Sequence, residues 1–104
     1  MAVRVNKDNF DENVLGIGLH LVDFYSDSCV PCKMMSPILA DIEEEFGEKL
    51  SVAKVNSAYD AELVEKYEVQ SAPTLIFIKD GEEIGRFRGA QKKADLVKFI
   101  NENI

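Results

Sequence analysis

An almost unbroken apolar segment followed by a long helical pattern constrains the fold of this chain more than any other feature. The segment Leu19–Tyr25 is rich in aromatic and β-branched residues, which is typical of a central strand buried on both faces. From Pro31 to Phe46 apolar residues recur at helical spacing, and Gly47 provides a C-terminal stop. A buried strand that leads into a helix predicts a sheet with helices on its faces.

The other periodic segments predict an α/β fold with a mixed sheet. Asp80-Gly81 is a strong hairpin signal, because both positions of such a two-residue turn need a positive φ. In such open sheets the functional site lies at the carboxyl end of the central strand. The predicted elements are a strand over Val3–Val5, a helix over Asp8–Leu15, a strand over Ser51–Asn56, a helix over Asp60–Tyr67, strands over Thr74–Lys79 and Glu82–Arg88, and a helix over Gln91–Asn103.

Length and charge limit the classes of function. The 104 residues predict a single domain, 1–104, and the 46% hydrophobic content predicts an ordinary globular core. A formal charge of -7 would repel phosphate backbones and anionic lipids, so we expect neither nucleic acid nor a membrane surface as a partner. No segment has the roughly 20 apolar residues of a spanning helix. The first residues lack the apolar core of a secretion signal, so we expect a cytoplasmic location.

The two cysteines, Cys29 and Cys32, lie in one four-residue window at the start of the long helix. A bridge closing so short a loop would contribute only about 2 kcal/mol before strain, so the pair is better explained by redox chemistry than by stability. Unpaired backbone donors and the helix dipole favour a thiolate at the helix start, which makes Cys29 the expected nucleophile. Cys32, three residues on, is placed to attack a mixed disulfide on Cys29.

Two other interpretations of the cysteine pair compete with redox exchange. A zinc or iron-sulfur site needs four ligands, whereas the chain offers two cysteines and the single His20, so we predict no metal. Inert buried thiols or a structural bridge are the other interpretation, but Val30-Pro31 and the helix start favour a reactive pair. His20, without patterned cysteine or carboxylate neighbours, is expected to be a scaffold residue.

The segment Val22–Pro37 closely resembles the active-site segment of thioredoxins. Val52–Asn56, Ser71–Leu75, the Asp80-Gly81 hairpin and Phe87–Ala90 follow in the family's order and spacing, so the resemblance covers essentially the whole chain. It implies the thioredoxin fold, a central mixed five-stranded sheet flanked by four helices. It also implies a thiol-disulfide oxidoreductase that reduces protein disulfides through Cys29 and Cys32 and needs no bound cofactor.

The resemblance also assigns roles to individual residues. Asp23 matches the buried carboxylate that carries a proton for Cys32, and Lys54 matches the lysine beside it. Independently of any resemblance, a carboxylate inside an apolar strand should have its pKa raised by desolvation. Pro73 matches the family's cis-proline opposite the cysteines, and Pro31 stiffens the active-site turn. The implied partner-binding residues are Val30, Ala72 and Gly89.

The chain departs from the usual family pattern around the cysteines. Ser28 and Val30 stand where tryptophan and glycine are usual, Tyr25 stands where a second tryptophan is common, and the chain has no tryptophan. The expected partners are disulfide-containing target proteins. By resemblance, a thioredoxin reductase is the expected electron donor, and the protein is expected to be a monomer. The alternative from another class is a thioredoxin-fold interaction module that holds a dedicated partner, with redox turnover incidental.

Overall fold

The computed structural model describes residues 3–104, and within this range the chain alternates between strands and helices. The elements, in chain order, are β1 (Val3–Arg4), α1 (Phe10–Val14), β2 (Leu19–Tyr25), α2 (Val30–Phe46), a 3₁₀ turn (Gly47–Lys49), β3 (Ser51–Asn56), α3 (Ala61–Lys66), β4 (Thr74–Lys79), β5 (Glu82–Arg88) and α4 (Lys93–Asn101).

The strands form one mixed sheet in the order β1-β3-β2-β4-β5. β2 runs parallel to β3 and antiparallel to β4, and β5 pairs antiparallel with β4. Within the described residues the body of the sheet is four strands of six or seven residues, not five. The fifth predicted strand is only the two-residue β1 at the edge, because the chain turns at Asn6, whose side chain accepts from the Asp8 amide.

Two hydrophobic clusters cover the two faces of the sheet. Alternate residues of β2 point to opposite faces, so Leu21 packs beneath α2 and α4 while Val22 packs beneath α1 and α3. Each fully buried side chain of this size contributes about 1.5–3 kcal/mol of hydrophobic stabilisation. β2 is therefore held from both sides, and its carboxyl end is a rigid support for the loop that follows.

The predicted hairpin between β4 and β5 is confirmed. Asp80 and Gly81 both have positive φ, 51° and 88°. The Asp80 carboxylate accepts from the Gly18 amide at 2.8 Å, and the Asp80 amide donates to the Gly18 carbonyl at 3.0 Å. These two bonds tie the hairpin to the loop that precedes β2.

The helices differ from prediction mainly at their ends. α1 begins at Phe10 rather than Asp8, because Asn6 and Asn9 form a turn in which the Asn9 side chain accepts from the Asn6 amide at 2.8 Å. α2 begins one residue before the predicted Pro31, and β2, β3, β4 and β5 have the predicted bounds. Across residues 3–104 no helix is long and apolar enough to cross a membrane.

Candidate active site

The two cysteines lie where the carboxyl end of β2 meets the amino end of α2. Cys29 occupies the N-cap position of α2, its amide donates to the Ser26 carbonyl at 3.3 Å, and the Cys32 amide donates to Cys29 Sγ at 3.1 Å. The two sulfurs are joined as a disulfide. In the reduced protein the Cys32 amide and the helix dipole favour a thiolate on Cys29, because each brings partial positive charge close to the Cys29 sulfur.

The two sulfurs differ in their access to solvent. Cys29 is half-buried, whereas Cys32 is 4% exposed and belongs to the core. An incoming disulfide can therefore reach Cys29 from solvent, while Cys32 is reached only from within the fold.

The loop before β4 faces the exposed sulfur. Cys29 Sγ lies 3.4 Å from the carbonyl oxygen of Ala72, and the Ala72–Pro73 peptide bond is cis. The Gly89 amide donates to the Pro73 carbonyl at 2.8 Å, and Gly89 has a φ of 80°, a conformation that favours glycine. Val30, at the first helical position, is 66% exposed and directly follows Cys29. Ala72, whose carbonyl lies near Cys29 Sγ, and Gly89, which is bonded to Pro73, are half-buried.

Asp23 is a buried carboxylate on the face of β2 that lies under α2. Its side chain is 1% exposed, and Oδ1 has no hydrogen-bond partner among the described residues. Desolvation raises the pKa of Asp23 from 3.8 to about 6, while the positive charge of Lys54 opposes that rise. Lys54 lies opposite Asp23 in the β2–β3 register, and its ammonium lies 5.7 Å from the centre of the Tyr25 ring.

A cavity of about 180 Å³ connects Asp23 with Cys32. Arg4, Lys54 and Asp23 occupy one row across three neighbouring strands, so β1 supplies a second cation at this cavity. Sequence reasoning missed Arg4, because no sequence signal gives the register that aligns β1 with β3. It also missed Ser26, directly after β2, and Ser36 in α2. The lining residues are Arg4, Asp23, Tyr25, Ser26, Asp27, Cys32, Lys33, Ser36 and Lys54.

In the part of the chain that the structure describes, 3–104, no three His, Cys, Asp or Glu side chains are placed so that they could hold a metal ion. His20 is 7% exposed, and its Nε2 lies 3.3 Å from the Gly16 carbonyl. It lies on the strand three residues from Asp23 and so points to the opposite face of the sheet. His20 is thus a packed residue of the α1 side.

A disulfide pair at a helix start is suited to exchange between sulfurs. A thiolate on Cys29 can attack a disulfide from solvent, and Cys32 is close enough to form the internal disulfide seen here. Electrons then leave the pair two at a time as one disulfide replaces another. Proteins that work in this way are thiol-disulfide oxidoreductases.

Comparison with known proteins places the chain within that class. The thioredoxin family model matches residues 1–102. The chain is 39% identical to the thioredoxin of Chlamydia caviae over 103 residues, 99% of each chain. It is 37% identical to the thioredoxin of Rickettsia bellii over 105 aligned positions, which cover the full length of both chains. It is 36% identical to the thioredoxin of Staphylococcus saprophyticus, over 98% of this chain and 97% of the relative. The chain belongs to the thioredoxin family and is a protein-disulfide reductase.

Proposed function

We propose that Cys29 is the attacking thiol and Cys32 the resolving thiol of a cytoplasmic electron carrier that reduces disulfides in other proteins. The observation that carries this assignment is the unequal exposure of the two sulfurs, because the half-buried Cys29 lies at the helix start while Cys32 is 4% exposed. The reverse assignment, with Cys32 attacking, would need a target disulfide to enter the core.

The proposed reaction has two exchange steps. The Cys29 thiolate attacks one sulfur of the target disulfide, forms a mixed disulfide and releases the first target sulfur as a thiolate that takes a proton. Cys32 then loses its proton and attacks Cys29 Sγ, which forms the Cys29–Cys32 disulfide and releases the second target sulfur as a thiolate, protonated in turn. The target gains two electrons and two protons, and the protein loses the same number.

Asp23 is proposed as the group that accepts the Cys32 proton. It is buried beside Cys32 on a shared cavity, and a pKa of about 6 leaves its carboxylate ionised near neutral pH and able to take a proton. The cavity, about 180 Å³, has room for several water molecules at roughly 30 Å³ each. Lys54 is proposed to keep the carboxylate ionised, because its charge lowers the pKa of Asp23.

The surface around Cys29 is proposed to bind the target. Val30 follows Cys29 in the first turn of α2, which Pro31 stiffens. The Ala72 carbonyl lies 3.4 Å from Cys29 Sγ, and Gly89 is bonded to the neighbouring Pro73. The exposed apolar area includes Met34, which is 60% exposed and one helical turn from Val30. An apolar patch of this kind suits contact with a partner protein.

The wider proposal follows from the family. We propose one domain over 1–104 that acts as a monomer without a bound cofactor, in electron transport that maintains thiol-disulfide balance. A thioredoxin reductase would supply the electrons that convert the internal disulfide back to two thiols. Disulfide-containing proteins would receive them.

Insulin reduction by dithiothreitol tests the proposal. The wild-type protein should accelerate the precipitation of reduced insulin chains, and Cys29→Ser should abolish the acceleration because the attacking sulfur is lost. Ser51→Ala, an exposed substitution at the start of β3, serves as the control and should leave the rate unchanged. A wild-type protein that gives no acceleration would contradict turnover and favour the interaction module.

A further inference from the structure

A second pocket lies beside Ala72, separate from the cavity that Asp23 lines. Its volume is about 210 Å³. Ala72 forms one wall, and the carbonyl of the same residue is 3.4 Å from Cys29 Sγ. Because Ala72 borders both the sulfur and the pocket, a target segment whose cysteine reaches Cys29 can place a neighbouring residue beside this pocket. The pocket is lined by Ser57, Val64, Val69, Gln70, Ser71 and Ala72.

The polar side chains of the pocket have unused hydrogen-bonding capacity. The exposed side chains of Gln70 and Ser71 make no hydrogen bond within the described part of the chain. The Ser57 hydroxyl donates to the Tyr25 carbonyl at 2.9 Å, which leaves its oxygen free to accept. These groups together offer an amide, a hydroxyl and a second hydroxyl oxygen to a bound side chain.

We propose that Gln70 and Ser71 are specificity-determining residues that select targets with an uncharged hydrogen-bonding side chain, an amide or a hydroxyl, next to the attacked cysteine. This inference rests on the proposed role of Cys29 as the attacking thiol. It goes beyond that role by naming the class of target sequence that the chain reduces fastest.

Apolar and charged side chains are disfavoured for different reasons. An apolar side chain would cover the Gln70 amide and the Ser71 hydroxyl without replacing their bonds to water, and covering unpaired polar groups is unfavourable. A charged side chain would be partly desolvated without a counterion, because none of the six lining residues is ionisable. An amide or hydroxyl side chain meets neither penalty.

Peptide disulfides that differ at one position test the inference. Asparagine, leucine and aspartate have nearly the same shape and differ in polarity and charge. Each is placed immediately before the cysteine in one set of peptides and immediately after it in a second set. The second-order rate constant for oxidation of the pre-reduced protein is measured by acid quench and chromatography of the released peptide thiol. In one of the two sets asparagine should exceed both leucine and aspartate by about tenfold.

Variants then assign the preference to the pocket. Gln70→Leu combined with Ser71→Ala should bring the asparagine-to-leucine ratio close to one, while Ser51→Ala at the far end of the sheet should leave the ratio as in wild type. Equal rates for asparagine and leucine in both sets, or a ratio that survives the double substitution, would overturn the inference and leave the proposed function intact. Failure of the wild-type protein to reduce any peptide would overturn both.

Discussion

At the scale of single residues, Asp23 determines the pH dependence expected of this protein. Burial raises the pKa of its carboxyl from 3.8 to about 6, so the folded protein holds a proton that the unfolded chain releases. The contribution of Asp23 to stability is fully present below pH 3.8 and is lost as the pH rises through about 6. At 1.36 kcal/mol per pH unit, the ionised carboxylate costs about 3 kcal/mol in the folded state.

Asp23→Asn should therefore raise the free energy of unfolding at high pH, because the amide cannot ionise. The expected gain over wild type is about 3 kcal/mol at pH 8.5 and about half of that at pH 5, measured by urea denaturation of the oxidised proteins. Asp41→Asn, on the exposed face of α2, should show no such pH dependence. An Asp23→Asn protein no more stable than wild type at pH 8.5 would show that the carboxylate is solvated.

Lys54 should set how far the pKa of Asp23 rises. Lys54→Met removes the positive charge that lowers this pKa, so the midpoint of Asp23 ionisation should move above about 6. A carbon-13 NMR titration of the labelled aspartate carboxyls measures the midpoint directly. Lys98→Met, an exposed lysine of α4, is the control. An unchanged midpoint in Lys54→Met would exclude the coupling between the two side chains.

At the scale of elements, the contact between β5 and α4 depends on the absence of a side chain at Gly85. A Cβ at this position would lie 2.6 Å from Cζ of Phe99. The Phe99 ring is held on both sides, with its centre 4.7 Å from that of Phe77 and 5.4 Å from that of Phe87. The ring cannot move aside without disturbing this aromatic cluster, so glycine allows α4 to approach the edge strand closely.

Gly85→Ala should thus destabilise the protein by about 1–3 kcal/mol, the usual cost of overpacking a filled site. Urea denaturation measures the change. Gly16→Ala is the matched control, because a Cβ there meets no atom within 4 Å, and its effect should stay within about 0.5 kcal/mol. Equal effects of the two substitutions would mean that Phe99 repacks freely.

The elements that could be predicted from the sequence are those whose own residues determine them. β2 and β4 have the predicted bounds, because nearly continuous apolar and β-branched segments have no comparable alternative to a buried strand. The start of α1 could not be predicted, because it depends on the hydrogen bond that the Asn9 side chain accepts from the Asn6 amide. The contact of Gly85 with Phe99 joins β5 to α4 and has no signal in either segment.

At the scale of the whole molecule, the site combines residues close in sequence with residues that only the fold brings together. Cys29 and Cys32 could be identified from their spacing and their position before a long helix, and Asp23 from its polarity within an apolar strand. Arg4 reaches the cavity only because β1 aligns with β3, where Arg4 lies opposite Lys54. The pocket at Gln70 and Ser71 likewise depends on the approach of the loop before β4 to the end of β3.

The central claim is that Cys29 attacks the target and Cys32 resolves the mixed disulfide, and covalent trapping tests it most directly. Reduced Cys32→Ser and reduced Cys29→Ser are each mixed with insulin, quenched with acid at matched times and mapped by peptide mass spectrometry. The account predicts that a mixed disulfide on Cys29 accumulates in Cys32→Ser, while Cys29→Ser forms at most a trace on Cys32. A mixed disulfide on Cys32 that forms as fast as the one on Cys29 would contradict it.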